Sequence, residues 1–436
     1  MKLVNVLELP NIHYPDKSRS ELSACVHDGG GLGLGQYAYA EQDGDGVLMT
    51  RDPLGCNALF YGVNNVGELV VASRISQALD LGVRLDVLAS CPPGHIIRYA
   101  NGESKIVSGA YLSSAKADEN FDLRTFQSQV LDGINQAFVS AKAFIGKRRA
   151  VVCLSGGLDS SVIAAKAKEY LDDVVAISFS YLSSEDYDAW SRDRDFTHLQ
   201  SVSDDFKSAR AVADALDIPL LAVFRPREAV KDIVEISVSL CQDWRDFNVH
   251  CAVVNLFLAE DISTRYPDDG AVVLTGDLMN EYVCDYHEEK IGDTVYYPQP
   301  RVSLAKRRSF YVRGLDAGDR EVGVFNAYGL PVLQLYAAVA DCYMTIPSAI
   351  LERPDAKETL NAFLLPPAAR EQVNKSKQRA QIGGADGGTL GIFHNMGVDQ
   401  NALAEIWMAS LPEVVRGDSP LDIIQFGRYR TTKRET

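Results

Sequence analysis

Residues 149–161, RAVVCLSGGLDSS, decide the reading of the chain. RAVVCL (149–154) is a short apolar run of the kind that forms a buried strand. DSSVIAAKAKEYL (159–171) has helical spacing. Between them, Ser155-Gly156-Gly157-Leu158-Asp159-Ser160-Ser161 joins strand to helix. Two adjacent glycines let the backbone curl so that successive N–H groups converge on an anion. The helix N-terminus adds partial positive charge, and the serine hydroxyls add donors. Asp159 repels bare phosphate, so its natural role is to hold a Mg²⁺ that bridges phosphate oxygens. The loop is therefore expected to cradle phosphates. It lacks the lysine of the GxxxxGK[ST] loop.

The same rhythm continues downstream. VVAISFSY (174–181), PLLAVF (219–224) and AVVLTG (271–276) read as strands. Between them lie helical stretches at 206–216, 228–241 and 248–265. Strands alternating with helices predict a doubly wound parallel sheet whose ligands bind at the strand carboxyl ends. The stretch from about 300 to 410 reads as mostly helical. Upstream, QYAYAEQ, GVLMTRD, LFYGVN and ELVVASR are β-like runs between turn residues. The polar stretch 113–122 marks a boundary, and a helix is expected from Leu123 to Ala143. The expected organisation is a β-rich domain over 1–120 and an α/β domain that carries the phosphate loop over 121–436.

The chain has 436 residues, 46% hydrophobic and 23% charged, with a formal charge of −16. That length and composition suit two or three globular domains. The acidic balance argues against a nucleic-acid partner, which would call for a basic face. No apolar run approaches the roughly 20 residues of a membrane helix, so no membrane partner is expected. Glu8 and Pro10 interrupt the N-terminus before any signal-peptide core, and the eight cysteines show no zinc spacing. A cytoplasmic location is the expectation.

SGGLDSS resembles the pyrophosphate loop of the ATP pyrophosphatases, which cleave ATP between the α and β phosphates. The flanks resemble the asparagine synthetase and β-lactam synthetase family. Arg51-Asp52-Pro53-Leu54-Gly55, LFYG, Ala72-Ser73-Arg74 and Pro92-Pro93-Gly94-His95 follow the order of that family's amidotransferase-type domain. In glutamine-using members a cysteine directly after the initiator Met is the nucleophile. Here residue 2 is lysine and the first cysteine is Cys25. The resemblance thus implies an Ntn-hydrolase-like remnant that makes no ammonia.

Thr275-Gly276-Asp277-Leu278-Met279-Asn280-Glu281 resembles the family's SGEGSDE or TGYGAD segment. By that match Gly276 lies in the nucleotide site. Asp277 stands where asparagine synthetases carry glutamate and lactam synthetases tyrosine. Asn280 replaces a metal-binding aspartate, so Mg²⁺ would be held by Asp159 with Asn280 or Glu281. Val373-Asn374-Lys375-Ser376-Lys377 resembles the segment that carries the lactam synthetases' catalytic lysine, which puts that role on Lys377. Arg379 would neutralise pyrophosphate. Ser178 and Phe179, on the second strand, would read the adenine edge. Aligning Leu330-Pro331-Val332-Leu333 with the family's SPVL places Tyr328 at the catalytic glutamate, which predicts an exchanged Tyr328–Asp277 pair.

Asp243, Asn248 and His250 lie around a helix start, where capping and packing are their ordinary roles. Arg313, Asp316 and Arg320 form a charged segment that could grip a substrate carboxylate. The expected function is ATP-dependent C–N bond formation through an acyl-adenylate, releasing AMP and pyrophosphate. The substrates would be a small-molecule carboxylate and amine, in specialised metabolite biosynthesis. The resemblance also allows a homodimer. An ammonia-dependent asparagine-forming enzyme and a non-catalytic ATP-binding protein are the rival readings.

Overall fold

The computed structural model describes the chain except residues 1, 9, 15–20, 22, 25, 27–32, 110–111, 113–116, 118, 300, 314–318, 374–386 and 412–436. Cys25, Asp316, Lys377 and Arg379 lie outside the described residues.

The N-terminal part is built from β1 (Leu3–Val6), β2 (Ile12–Tyr14), β3 (Leu34–Gln36), β4 (Ala38–Asp43), β5 (Gly46–Arg51), β6 (Phe60–Val63), β7 (Leu69–Ala72), β8 (Ala89–Ser90), β9 (His95–Ala100) and β10 (Glu103–Gly109). One sheet has the order β1-β7-β6-β8 and the other β10-β9-β5-β4. Their inner faces share one apolar layer, with Val47 and Met49 from one sheet against Tyr61 and Val71 from the other. Asp52 organises the turn after β5. It is fully buried and accepts backbone N–H bonds from Leu54, Cys56 and Asn57 at 2.9–3.1 Å. That explains the Asp-Pro-Leu-Gly sequence structurally, without any catalytic role.

Helix α1 (Leu123–Ile145) follows. Asp122 caps it by accepting from the Thr125 N–H at 2.8 Å. Phe126, Val130, Ile134, Ala137, Phe138 and Ala141 recur at helical spacing on the buried face. Gly146 ends the helix at φ 62°.

The second part carries a five-stranded sheet in the order β13-β12-β11-β14-β17. Its strands are β11 (Arg149–Cys153), β12 (Val174–Leu182), β13 (Leu220–Pro226), β14 (Ala271–Leu274) and β17 (Val332–Leu333). All four pairings are parallel. The small hairpin β15 (Glu289–Ile291) and β16 (Thr294–Tyr296) stands apart. The crossover helices are α2 (Leu158–Tyr170), α3 (Asp204–Leu216) and α4 (Asp246–Arg265). Every residue of β14 is buried, the run expected of a strand covered on both faces. From β11 the chain winds first to β12 and β13, then to β14 and β17 on the other side. The crevice beside β11 is therefore the topological switch point, where such sheets bind ligands.

The two parts share a core. Ile12, Tyr14, Leu54 and Cys56 join one apolar cluster with α1, α2 and Tyr336. Gln36 donates through Nε2 to the Val332 carbonyl at 2.8 Å and accepts the Gln334 N–H at 2.9 Å, tying β3 to β17. These paired amide bonds are buried, where leaving one unmade costs about 1–3 kcal/mol.

Candidate active site

The loop after β11 has the shape its glycines require. Gly156 sits at φ 73°, and a Cβ there would lie 2.5 Å from the Ala209 backbone nitrogen. Only glycine fits, because α3 closes on the loop from behind. The serines then lock the turn. The Ser155 N–H donates to Ser160 Oγ at 3.1 Å, and the two hydroxyls lie 3.0 Å apart. Ser161 Oγ donates to the Gly157 carbonyl at 2.7 Å. Gly157 precedes α2 with no side-chain cap, so the first helical N–H groups have no capping side chain. That leaves an anion-receptive helix start in a pocket wall.

The end of β14 completes the crevice. A Cβ on Gly276 would meet the Ser160 backbone nitrogen at 2.7 Å, so this glycine lets β14 press against the loop. Leu278, two residues on, takes φ 83°, which a branched side chain rarely adopts. The turn directs Asp277 into the pocket and starts the short helix α5 (Met279–Val283).

One pocket collects most of the expected residues. Ser155, Asp159, Ser160, Ser178, Phe179, Gly276, Asp277 and Asn280 all line it. Gly156, Gly157, Leu158 and Ser161 shape the loop behind those walls. Phe179 stacks on Phe257 with centroids 5.6 Å apart and meets Tyr181 edge-on. This aromatic wall on β12 suits a flat heterocycle.

Lys357, on α6 (Ala356–Asn361), is the residue the sequence did not reveal. Its Nζ lies 2.7 Å from Asp159 Oδ2 and 3.1 Å from Asp285 Oδ2, and donates to Asn280 Oδ1 at 2.6 Å. Burial opposes its charge, but Asp159 and Asp285 outweigh that and raise its pKa. The segment RPDAKETLN has no motif that would have marked it. Only the fold brings it to the loop.

Mg²⁺ fits this corner in part. Asp159 Oδ1 is buried and without a hydrogen-bond partner, and the Asn280 oxygen is adjacent through their shared lysine. These two oxygens would hold a hard cation, with Lys357 beside it. Glu281 does not fit. Its Oε1 accepts from Tyr286 Oη at 2.5 Å and from Arg320 Nη2 at 3.4 Å, deep in the protein. Among the described residues no group of three or more His, Cys, Asp or Glu side chains could hold a metal ion.

The expected Tyr328–Asp277 pair is not brought together by the fold. Tyr328 does not line the pocket, and its ring packs at the edge of two apolar clusters. Its hydroxyl is hydrogen-bonded to Glu260, and burial followed by that carboxylate raises its pKa. The reason is local. Tyr328 ends a turn closed by its own N–H to the Phe325 carbonyl, which faces it towards α4.

Arg320 does reach the pocket, but not as a free cation. Nε donates to Glu321 at 2.9 Å, Nη1 to Asn248 at 3.1 Å, and the guanidinium lies 4.9 Å over the Phe247 ring. Asn248 also donates to Asp243, which is fully buried and holds Arg245 at 2.6 Å. His250 is packed away, with Nδ1 2.7 Å from Tyr297 Oη, and burial lowers its pKa to about 3. Thus His250 is packed away as expected, while Asp243 holds Arg245 and Asn248 rather than capping α4, which has no side-chain cap.

Residues 137–315 match the family model described as asparagine synthase. No curated protein sequence matches the chain. Among solved structures, the ADP complex of a glutamine-dependent NAD⁺ synthetase from Acinetobacter baumannii is 16% identical, covering 44% of this chain and 32% of its own, at TM-score 0.26. An NMN synthetase from Francisella tularensis is 13% identical, covering 73% of this chain and 99% of its own, at TM-score 0.26. At such scores neither likeness defines a shared fold, and the chain spans only 32% of the NAD⁺ synthetase's length. The family match coincides with the loop, α2, β12 and the β14 turn that build the pocket. Residues 137–315, the part of the chain that carries the loop and the crevice, are thus similar to the asparagine synthase family.

Proposed function

We propose that the chain is an ATP-dependent amide ligase that works through an acyl-adenylate. A carboxylate oxygen attacks the α-phosphorus of ATP, and the bond to the β-phosphate oxygen breaks to release pyrophosphate. A nitrogen lone pair then attacks the acyl carbon, the bond to AMP breaks, and a proton leaves the nitrogen. Activation is needed because a bare carboxylate is a poor acyl donor.

The observation that carries this reading is the convergence of the Ser155–Ser161 loop, Asp159, Asn280 and Asp277 on one crevice at the switch point, with Lys357 paired to Asp159 and Asn280 behind it. The loop N–H groups and the start of α2 would hold the leaving pyrophosphate. Lys357, paired to Asp159, would place a fixed positive charge near the phosphates as negative charge builds. A Mg²⁺ held by Asp159 and Asn280 would neutralise phosphate oxygens. Asp277 faces the reaction centre and would position the amine or take its proton. Ser178 and Phe179 would meet the adenine. Lys377 and Arg379, outside the described residues, are assigned to acyl transfer and pyrophosphate by resemblance alone.

In its finer form the reading takes the amine from the substrate, as a β-lactam synthetase-like or intermolecular ligase of specialised metabolism would. The test is carboxylate-dependent exchange of labelled pyrophosphate into ATP, without any amine. Exchange with a particular acid supports the adenylate. Its absence across acids, alongside ADP formation, contradicts it.

A further inference from the structure

Beyond the phosphate loop, the pocket wall changes character. Asp277 and Glu321 both line it, with Glu281 behind Arg320. Glu321 sits on a π-helical turn, Asp319–Gly323, a backbone form that often marks functional sites. Its side chain is only 5% exposed. Oε1 accepts from Arg320 Nε at 2.9 Å, while Oε2 is buried and has no hydrogen-bond partner among the described residues. The Thr275 hydroxyl, on the same pocket, is likewise buried without one. Cys153 reports on this lobe from β11: after burial, Asp277 and then Glu321 push its thiol pKa up.

A buried carboxyl oxygen without a partner is costly, burial pushes the Glu321 pKa well up, and native structures rarely leave such a group unexplained. Arg320 does not complete it: Nε donates to Glu321 Oε1, Nη1 to Asn248 and Nη2 to Glu281. The two glutamates offset its charge, which weakens it as a receptor for a substrate carboxylate. A carboxylate ligand here would also face Asp277 and Glu321. A ligand bringing positive charge and N–H donors satisfies the wall instead.

We propose that Glu321, with Asp277 and the Thr275 hydroxyl, forms a subsite for a primary ammonium group, so that the acceptor substrate enters as an alkylammonium. This rests on the ligase reading for its place in the reaction, but not for its binding chemistry. Glu321 Oε2 and Thr275 Oγ1 accept two of the ammonium protons. Before attack the nitrogen gives one proton to a carboxylate of the same lobe, leaving the neutral amine and its lone pair. Glu321 therefore sets which nucleophile is admitted: small amines and amino acids with a free ammonium enter, and their hydroxyl counterparts do not.

The probe is 1,4-diaminobutane against butane-1,4-diol, titrated calorimetrically into the ATP-loaded full chain. The diamine is expected to bind roughly tenfold or more tighter than the diol. Glu321→Gln should erase that preference while ATP affinity stays within about twofold, and Glu321→Asp, which keeps the charge, should retain most of it. Equal binding of diol and diamine, or an unchanged preference in Glu321→Gln, overturns the subsite. Pyrophosphate exchange with the carboxylate alone is measured on the same samples. Exchange with no diamine preference rejects the subsite and leaves the ligase standing. A diamine preference without exchange does the reverse.

Discussion

The ammonium of Lys357 lies 2.7 Å from Asp159 Oδ2, so the phosphate loop carries its own counter-charge from a helix some two hundred residues downstream. Asp159 is 4% exposed in its side chain and Lys357 21%. Lys357→Met strands the Asp159 carboxylate. A fully buried pair broken on one side costs about 3–5 kcal/mol, and the partial exposure of Lys357 brings the expectation down to about 1–3 kcal/mol. Adenylation should fall by a factor on the order of 10² or more. Thermal melts should show the loss, and Mg²⁺ should restore more stability to the variant than it adds to the parent. The folded-state pKa of Lys357 is raised, so its contribution is complete below the unfolded value and disappears as pH rises through the folded value. The gap in melting temperature between parent and variant should therefore close in strong alkali.

The two glycines that frame the crevice make a second case. At Gly156 a methyl group meets both a left-handed backbone and the Ala209 nitrogen at 2.5 Å. At Gly276 it meets the Ser160 nitrogen at 2.7 Å. Neither neighbour is a flexible side-chain end. Gly156→Ala and Gly276→Ala should each lose about 1–3 kcal/mol in urea unfolding. Each should also weaken ATP binding at least roughly tenfold, because the loop N–H groups are displaced together.

His250 supplies a pH signature independent of catalysis. It is buried and its folded pKa is lowered to about 3. The unfolded chain gains its proton near pH 6.5 while the folded chain does not, so stability is full above that pH and falls as pH drops towards 3. Between pH 7 and pH 5 the loss from this group alone is about 2 kcal/mol. His250→Gln should flatten that part of the stability curve measured by chemical denaturation. An unchanged slope would mean that the imidazole is charged in the folded protein.

Asp277 and Tyr328 should separate cleanly in kinetics. Asp277 lines the pocket and Tyr328 does not. Asp277→Asn should lower kcat for amide formation by about 10²–10⁴ while pyrophosphate exchange persists. Tyr328→Phe should leave kcat within about twofold, since its hydroxyl serves Glu260. A large loss in Tyr328→Phe would restore the exchanged pair that the Leu330–Leu333 alignment suggests.

What the sequence revealed follows from what is local. The strand before Ser155, the Gly-Gly turn and the start of α2 each depend on neighbours within a few residues, so their chemistry was readable. The β14 turn was readable for the same reason, although the left-handed Leu278 carries no compositional mark. The helix over Leu123–Ile145 is legible from its apolar spacing to within its last two residues. β9 and β10 carry no run of alternating apolar and polar residues in sequence, although β10 alternates exposed and half-buried positions in the sheet, with a register shift between Ile106 and Ser108. Lys357 and Glu321 were invisible as site residues because tertiary contact alone defines them. One sits on a six-residue helix and the other on a π turn without periodicity. Tyr328 shows the converse: a motif match that runs into β17, four residues on, did not determine where its side chain faces.

The most direct test follows the phosphorus products of ATP by NMR when the full chain is incubated with Mg²⁺ and pools of carboxylates and amines, with Asp159→Ala alongside. The account predicts AMP and pyrophosphate in equal amounts, dependent on one carboxylate and absent in the variant. ADP and inorganic phosphate as products would contradict it, because the Ser155–Ser161 loop would then be serving cleavage at a different phosphate.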